Sequence, residues 1–587
     1  MVKLKKKHLI MALLVIIMMV LSLSNLANRY LWYDEAHTAL MGRNVLEYGV
    51  PKVWNGEYLI TTSNGNDFND SLIIVKDGWV QYYLAALAEL LSPLFNVRVC
   101  FVVFGIAGAF VLYYLSKELY KKESISILTM ALYCLSIPII LYIRQVRYYS
   151  PSIFFILLTL HFYLKAIRLN KTKHWVGFTF SAIFLYHSLY MFFIVVLLAI
   201  SLRYGIYDRA KNNIFKLIAS YSFIFLGTFP FFLYNQIFLS NIGDKRSSFQ
   251  GIENILLQVP GYLWQLNTYF FPFLPLFFIC IIIWIKKKIT YHYSNTDISH
   301  DDIKIKQKHV FINRSSFFLV SIIVINVSVV SAFSLQYATR YILPSILAGY
   351  ILCAKILYKI ISADRLLGTI LTVLIIFTNI VNVSPYLAIK YLMPENLSHI
   401  DIIKPPVPYF IAQGNFITVD TTQSYLEDKL KLSSYTAQYL AEITHNYDDA
   451  TEGIVKFLQD NAKPGDTVQG DDFTSDSIAY YTDLHVVNRL KAVTDVNDFW
   501  FTIYSHLPNL DKYMDLTYYP EDLVDWLVYL PDSLQAADAI KSTTDTSKYE
   551  IYELHSYPNS PFAADIWEHG FTTDFSYPIP IILKRIT

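Results

Sequence analysis

Eleven apolar runs govern what this chain can become. They fall at roughly 8–26, 97–116, 124–143, 150–167, 175–187, 188–203, 214–236, 262–285, 311–332, 342–359 and 367–385. Most approach the ~20 residues a helix needs to cross the hydrocarbon core of a bilayer. Inside lipid, backbone N–H and C=O groups must be satisfied internally, so runs of this length become helices. Composition agrees: 54% of the 587 residues are hydrophobic and 16% are charged, against about 25% charged in a soluble protein. The two runs flanking His187 are short and read as one long helix or two short ones. A further short run, "WVQYYLAALAELLSPLF" at 79–95, carries Glu89 and reads as a helix lying at the outer surface.

Charge sets the expected orientation. The net charge of +1 hides a split: Tyr386 to Thr587 holds 13 Lys+Arg against 30 Asp+Glu, net −17, leaving +18 on the remainder. A basic membrane part (1–385) and an acidic tail (386–587) are therefore expected to be separate objects. With the N-terminus inside, alternation makes cytoplasmic the loops "SKELYKKES", "IRLNKTKH", "LRYGIYDRAKNNIFK", "IKKKITYHYSNTDISHDDIKIKQKHV" and "ISADRL". These hold most of the lysines, as the positive-inside bias requires. Counting 79–95 as a span would move them outside. The expectation is thus a polytopic α-helical protein of the cell membrane with about eleven spans, N-terminus in and C-terminus out. The 27–96 stretch, Arg144 to Tyr149, His187, the 237–261 loop and Arg340 then share the outer side. "MVKLKKKHLIMALLVIIMMVLSLSNLA" has the grammar of a signal peptide, but the spans that follow need a starting orientation, so it reads as a retained first helix.

The basic residues lie in short loops between apolar runs, which gives no footprint for nucleic acid. Cys100, Cys134, Cys280 and Cys353 all sit inside apolar segments, with neither a disulfide framework nor zinc spacing. The tail alternates helical and strand patterns. "TAQYLAEITHNYDDATEGIVKFLQDNA" and "DSIAYYT" read as helices. "KPGDTVQGDD" reads as a turn into a strand, and "LHVVNRL", "EDLVDWLVYLPD", "YEIYELHSYP" and "IPIILKRI" as strands. That alternation predicts a small extracytoplasmic α/β layer domain over 386–587. "GDDFTSD" has the acids of a calcium loop without its spacing, and reads as a solvated loop.

Candidate chemistry gathers on the expected outer face. Asp34 and Glu35 follow the first run in "RYLWYDEAHTALMGRNVLEYGVP". An acidic pair there can simply end a helix in water. Arg144 and Arg147, in "YIRQVRYYSPS", and Arg340, in "LQYATRYILPS", sit on the side that the inside bias disfavours. Each can snorkel to head groups or pair with a carboxylate. Each can equally bind a phosphate through paired N–H donors. Tyr148 and Tyr341 adjoin two of them, and His187 lies in the outer turn "FLYHSLY" as a satisfied turn residue or a catalytic one.

"WYDEAHTALMGRNVLEYGVP" resembles the first outer loop of the polyprenyl-phosphate-dependent glycosyltransferases of the GT-C fold, in the branch of the protein O-mannosyltransferases and aminoarabinose transferases. Asp34 and Glu35 match its acidic pair; Arg43, Asn44 and Gly49 match the amphipathic helix that follows. "WVQYYLAAL" falls where that family has a Pro-Pro-Leu-Tyr-type surface helix, without the prolines. "RQVRYYSPS", "LYHSLY" and "TRYILPSILAGY" resemble its Arg-Tyr, Tyr-Thr-His-Tyr and Arg-Tyr-Leu-Leu-Pro segments. "AKPGDTV" and "YPNSPFAADIWEHGF" resemble bacterial members with an outer C-terminal domain. The family often adds a second acid before the surface helix; here Asp67, Asp70 and Asp77 are all candidates.

The resemblance implies transfer of a hexose or pentose from a polyprenyl-phosphate donor to a glycolipid, glycan or protein acceptor in the cell envelope. Asp34 would take or orient the acceptor's proton. Glu35 would orient Asp34 or hold a divalent metal ion, with Asp67, Asp70 and Asp77 as further candidate ligands. Arg147 and Arg340 would stabilise the departing phosphate, with Arg144, Tyr148, His187 and Tyr341 as further substrate contacts. Two other readings stay open: a transporter or flippase of a lipid-linked sugar, and a membrane anchor for a partner-binding tail.

Overall fold

The computed structural model describes residues 6–234 (except 28, 57–58, 61–66, 76, 93 and 210–212), 251–294, 314–333, 339–381 (except 379), 434–444, 450–490 (except 471–473 and 488), 518–519, 524–530, 538–554 (except 539 and 543) and 580–586. The motif "YPNSPFAADIWEHGF" and the acids Asp471 and Asp472 lie outside these residues.

Among the described residues, six helices are long and apolar enough to cross a membrane: Arg98–Tyr120, Tyr149–Leu169, Tyr190–Asp208, Ile214–Tyr234, Arg314–Phe333 and Thr339–Ala363. A seventh span is formed if Glu123–Cys134 and Ile137–Ile143 are taken together; they meet at 64°. The bend has a local cause: Ser136 caps the second helix through Ile139 N, and Pro138 opens it. The remaining expected spans are helical but shorter, notably Lys6–Leu23 and Arg365–Phe377. The break expected near His187 falls at Leu189, between Thr172–Ser188 and Tyr190–Arg203.

One expected span is broken. The run at 262–285 is divided between helices Gly251–Gln265 and Phe273–Ser294. A π-turn at Leu266–Phe270 and extended Phe271 (φ −161) separate them, directly before Pro272, which cannot donate a backbone hydrogen bond. The stretch expected to be loop at 237–261 is correspondingly helical from Gly251 onward.

Close approach holds the bundle together. We label the first helices α1 (Lys6–Leu23), α2 (Tyr33–Tyr48), α3 (Val80–Leu91), α4 (Arg98–Tyr120), α5 (Glu123–Cys134), α6 (Ile137–Ile143), α7 (Tyr149–Leu169) and α8 (Thr172–Ser188). Gly105 on α4 lies where a Cβ would sit 2.6 Å from Ile143, and Tyr133 OH donates to the Gly105 carbonyl at 2.9 Å. Small residues let helix backbones meet where lipid supplies no hydrophobic drive.

Outside the bundle, α2 and α3 pack side by side on the 27–96 loop. α2 starts after extended Trp32, with Asp34 and Glu35 in its first turn, where carboxylates favour the helix dipole. It ends on Gly49 in the left-handed region (φ 75), whose N–H returns to Val45 O. The C-terminal part folds as a five-stranded sheet in the order β2-β1-β5-β7-β6, from β1 (Thr467–Gln469), β2 (His485–Val486), β5 (Trp526–Tyr529), β6 (Tyr549–Glu553) and β7 (Ile581–Arg585). β3 (Arg489–Leu490) and β4 (Tyr518–Tyr519) pair separately. β1 runs parallel to β2 and β5; β7 is antiparallel to β5 and β6. Helices Ala450–Asn461 and Ser475–Tyr481 lie between and beside these strands in the chain.

One core joins these pieces. Leu40, Met41 and Val45 of α2 and Val53, Leu59 and Ile74 of the loop are buried together with Ile454, Leu458, Ile478, Trp526 and Ile582. Gly42 is the tightest point of the α2–α3 contact: a Cβ there would lie 2.8 Å from the backbone of Ala85 and Ala86. We therefore expect Gly42→Leu to force the two helices apart and cost about 1–3 kcal/mol. The check is a lowered thermal midpoint of the purified protein in detergent, with Gly49→Leu as a comparison governed by φ rather than by space.

Candidate active site

The ends of several helices meet at one end of the bundle, against α2. Asp34 is the meeting point. Its Oδ2 lies 3.2 Å from Arg147 Nη2 and 3.9 Å from Arg340 Nη1. The three side chains are only 14%, 10% and 14% exposed, respectively. Arg147 comes from the turn between α6 and α7, and Arg340 from a short 3-10 turn before the Leu343–Ala363 helix. Arg147 Nη1 also donates to Thr38 Oγ1 at 3.2 Å, while its Nε is buried without a hydrogen-bond partner. Tyr341 takes a 3.3 Å hydrogen bond from Arg340, and Tyr148 lies beneath Arg147 with its ring 5.4 Å away. Asp77 faces the same space, its charge felt at Arg147 and Tyr190. Burial works against the Arg147 charge. Asp34, then Tyr149 and Asp77, outweigh it and raise its pKa above the ordinary arginine value.

Glu35 has a separate job. Arg98 grips it in two-pronged fashion, Nε to Oε1 at 2.9 Å and Nη2 to Oε2 at 2.5 Å, and Val146 N–H donates to Oε1 at 2.8 Å. Arg98 also donates to the carbonyls of Leu26, Arg29 and Tyr30. Glu35 thus ties the approach to α2, the start of α4 and the Arg147 turn into one block. Arg144 is likewise absorbed in structure. It donates to the carbonyls of Leu21, Ser22, Ser24 and Asn25 at the end of α1, and lies over Tyr439. His187 hydrogen-bonds Gly227 O through Nε2 at 3.2 Å and packs edge-on against Phe231. Gly78 sits where a Cβ would be 2.2 Å from the His187 carbonyl, so the loop carrying Asp77 rests on the end of α8.

The candidate metal ligands do not converge. Glu35 is spent on Arg98. Asp70 is exposed, Asp67 is fully buried with its charge felt at His37, and Asp77 accepts from Tyr82 OH at 3.2 Å. Among the described residues no group of three or more His, Cys, Asp or Glu is arranged to hold a metal ion.

Sequence reasoning missed two contributors. Arg98, in "NVRVC", is another arginine at the expected outer start of a span; the signal that selected Arg147 would have found it. The other is a buried pair. His37 Nδ1 lies 3.1 Å from Asp476 Oδ2, both side chains at most 1% exposed. The pair joins α2, one turn past Asp34, to the Ser475–Tyr481 helix. Around it Leu31 N donates to Tyr481 OH (2.7 Å), Ser477 donates to Leu31 O (3.0 Å), and Arg43 stacks 3.8 Å over Tyr480. No local pattern announces a contact 439 residues apart.

Two predictions follow from these contacts. Arg98→Ala leaves the Glu35 charge buried and unpaired, and is expected to cost about 3–5 kcal/mol, read as loss of folded protein on size exclusion and a depressed thermal midpoint. The His37 pair makes docking of the C-terminal part depend on pH. Burial lowers the His37 pKa, but the Asp476 hydrogen bond and charge, with the charge of Asp67, override it and the opposing Arg147 charge, leaving it raised above 6.5. A raised folded-state value means the stabilisation is complete below 6.5 and fades as pH climbs through the folded value. Limited proteolysis of the 434–586 region should therefore quicken above neutral pH in the wild type. In His37→Gln that dependence should flatten.

No family model matches the sequence, and no curated protein matches it. By structure, the chain is similar to ArnT from Cupriavidus metallidurans, whose crystal structure has undecaprenyl phosphate bound (TM-score 0.50, 11% identity, 98% of this chain and 97% of that one). It also matches the Archaeoglobus fulgidus oligosaccharyltransferase complexed with Zn and sulfate (TM-score 0.42, 10% identity, 89% of this chain and 68% of that one). The arabinosyltransferase EmbB from Mycobacterium smegmatis matches at TM-score 0.36 and 12% identity, over 61% of this chain and 31% of its own length. The likeness to ArnT along nearly the whole of both chains establishes the architecture: this chain has the GT-C fold.

Proposed function

We propose that the protein is an integral membrane glycosyltransferase that moves a sugar from a polyprenyl-phosphate donor to an acceptor hydroxyl on the extracytoplasmic face. Residues 1–385 would form the membrane part, with about eleven spans and the N-terminus in the cytoplasm, and 386–587 the extracytoplasmic domain. The observation that carries the reading is the Asp34 carboxylate held between Arg147 and Arg340, all three side chains largely buried. ArnT, which shares the fold, binds undecaprenyl phosphate, a ligand of the class that two guanidiniums suit.

The chemistry follows from an exchange of partners. Before a donor enters, Asp34 is shared between Arg147 and Arg340, leaving the trio with a net positive charge. A lipid phosphate brings stronger acceptor oxygens and competes for both guanidiniums. Arg147 Nε, buried without a partner, offers one more donor. Asp34 is then released to accept the proton of the acceptor hydroxyl. The acceptor oxygen bonds to the anomeric carbon, and the bond from that carbon to the phosphate oxygen breaks. Its electron pair leaves with the polyprenyl phosphate, and the proton ends on Asp34. The two arginines bind the charge that develops on the leaving oxygen. Attack opposite the leaving group inverts the anomeric centre. Tyr148 and Tyr341 wall the arginines and hold them over the cleft.

The test compares wild type with Asp34→Asn and Arg147→Lys in membranes. The sugar and acceptor are first identified as the envelope glycan or glycoprotein lost when the protein is removed, by mass spectrometry. Asp34→Asn keeps the shape and removes the proton acceptor, so transfer should fall by roughly 10²–10⁴-fold at unchanged protein level. Wild-type turnover in the Asn variant would sink the mechanism. Free polyprenyl phosphate should appear only when acceptor is added; a flippase would leave the sugar–phosphate bond intact.

A further inference from the structure

At the other end of the bundle lie three neighbouring lysines that pair with no carboxylate among the described residues. Lys122 follows α4; Lys355 and Lys359 lie one turn apart on the Leu343–Ala363 helix. Lys355 is ~18 Å along that helix from Leu343, at ~1.5 Å per residue, so the cluster stands well away from Arg340 and the Asp34 cleft. Lys355 is half-buried. Its Nζ donates to Ser316 Oγ at 2.5 Å and lies 4.9 Å from the centre of the Tyr120 ring. Tyr120 OH and Ser316 Oγ share a 3.1 Å hydrogen bond. Lys122 Nζ sits 4.9 Å from the centre of the Tyr358 ring and donates to its hydroxyl at 3.4 Å.

The acids in this neighbourhood are already committed. Glu118 is held by Lys121 at 2.9 Å and Arg168 at 2.7 Å; Glu123 is held by Lys7 at 2.9 Å and Lys117 at 3.8 Å. Lys122, Lys355 and Lys359 pair with no carboxylate among the described residues. Like charges four residues apart on a helix repel, and a half-buried ammonium without a counter-charge is unfavourable. Lys355 at Ser316 and Tyr120, and Lys122 at Tyr358 one turn further along the same helix, with the charge of Lys359 beside Lys355, supply neighbouring donors for phosphate oxygens. The adjoining helix Arg365–Phe377 exposes Leu366 (72%) and Ile370 (47%), apolar surface suited to acyl chains.

We propose that this cluster is a binding site for the phosphate headgroup of an anionic lipid in the leaflet at this end of the bundle. Basic pockets between spans recognise such head groups by charge and hydrogen bonding. The site shares no residue with the Asp34 cleft, and its occupation is measurable without any transfer assay.

The test uses the full chain purified in detergent. Thermal midpoints are titrated with mixed micelles of phosphatidylglycerol, with phosphatidylcholine, and with inorganic phosphate at matched phosphate concentration. Three proteins are compared: wild type, the triple variant Lys122→Gln/Lys355→Gln/Lys359→Gln, and an equal-charge control, Lys165→Gln/Lys171→Gln/Lys173→Gln. Phosphatidylglycerol should raise the midpoint of wild type and control at the same lipid fraction. The triple variant should need on the order of a hundredfold more lipid, about fivefold for each lysine lost near a charged headgroup. If the triple variant does not purify, Lys122→Gln alone is read against the same fivefold expectation. An unchanged response in the variant, or an equal response to phosphatidylcholine, overturns the site. An equal response to inorganic phosphate overturns the lipid assignment.

Discussion

The two-pronged ion pair between Glu35 and Arg98 is the joint on which the rest of the site depends. It is buried, and its Glu35 oxygens also receive Val146 N–H, one residue before Arg147. Arg98 meanwhile ties down the carbonyls of the chain entering α2. A buried pair of this kind adds little net stability over a hydrophobic contact, but losing either partner is severe. Its use here is geometric. Asp34 and Arg147 belong to elements far apart in sequence, and one carboxylate next door fixes both to the same block. Adjacent acids therefore face different partners: Glu35 locks the frame through Arg98, and Asp34 faces Arg147 and Arg340.

The setting of Asp34 is electrostatic. Its Oδ2 is 3.2 Å from one guanidinium and 3.9 Å from the other. Arginine suits the task because it keeps its proton when buried and presents a rigid set of donors. A lysine in the same place would surrender charge under desolvation and offer a single point. Two largely buried guanidiniums beside one carboxylate leave this corner of the structure with an excess of positive charge, the condition under which the proposed exchange of Asp34 for a phosphate would need little reorganisation.

Much of this was legible in the sequence, for physical reasons. Apolar runs of bilayer length become helices because lipid offers the backbone nothing else, and the runs containing residues 98–120, 149–169 and 314–333 did so. The break at Phe271–Pro272 escaped because hydropathy is blind to the proline that caused it. Asp34, Arg147 and Arg340 came together as charge on the disfavoured side of a bundle suggests. The same rule selected Arg144, whose guanidinium instead satisfies the open carbonyls at the end of α1. An arginine at a helix end meets two needs, phosphate or orphan carbonyls, and sequence alone does not separate them. The His37–Asp476 contact left no trace, since nothing in either neighbourhood encodes a partner 439 residues distant.

The shared core also ties the tail to the outer loop. Ile454, Leu458, Ile478, Trp526 and Ile582 are buried against Leu40, Met41, Val45 and Ile74 of the 27–96 loop, not only against one another. Removing either side would expose a broad apolar face and strand Asp476 and His37 without their charge partners. A tail that folds by itself needs no such common interior. Here the Ser475–Tyr481 helix clasps the helix bearing Asp34 through Leu31 N–H to Tyr481, Ser477 to the Leu31 carbonyl and Arg43 over Tyr480, so the position of Asp34 depends on both parts of the chain.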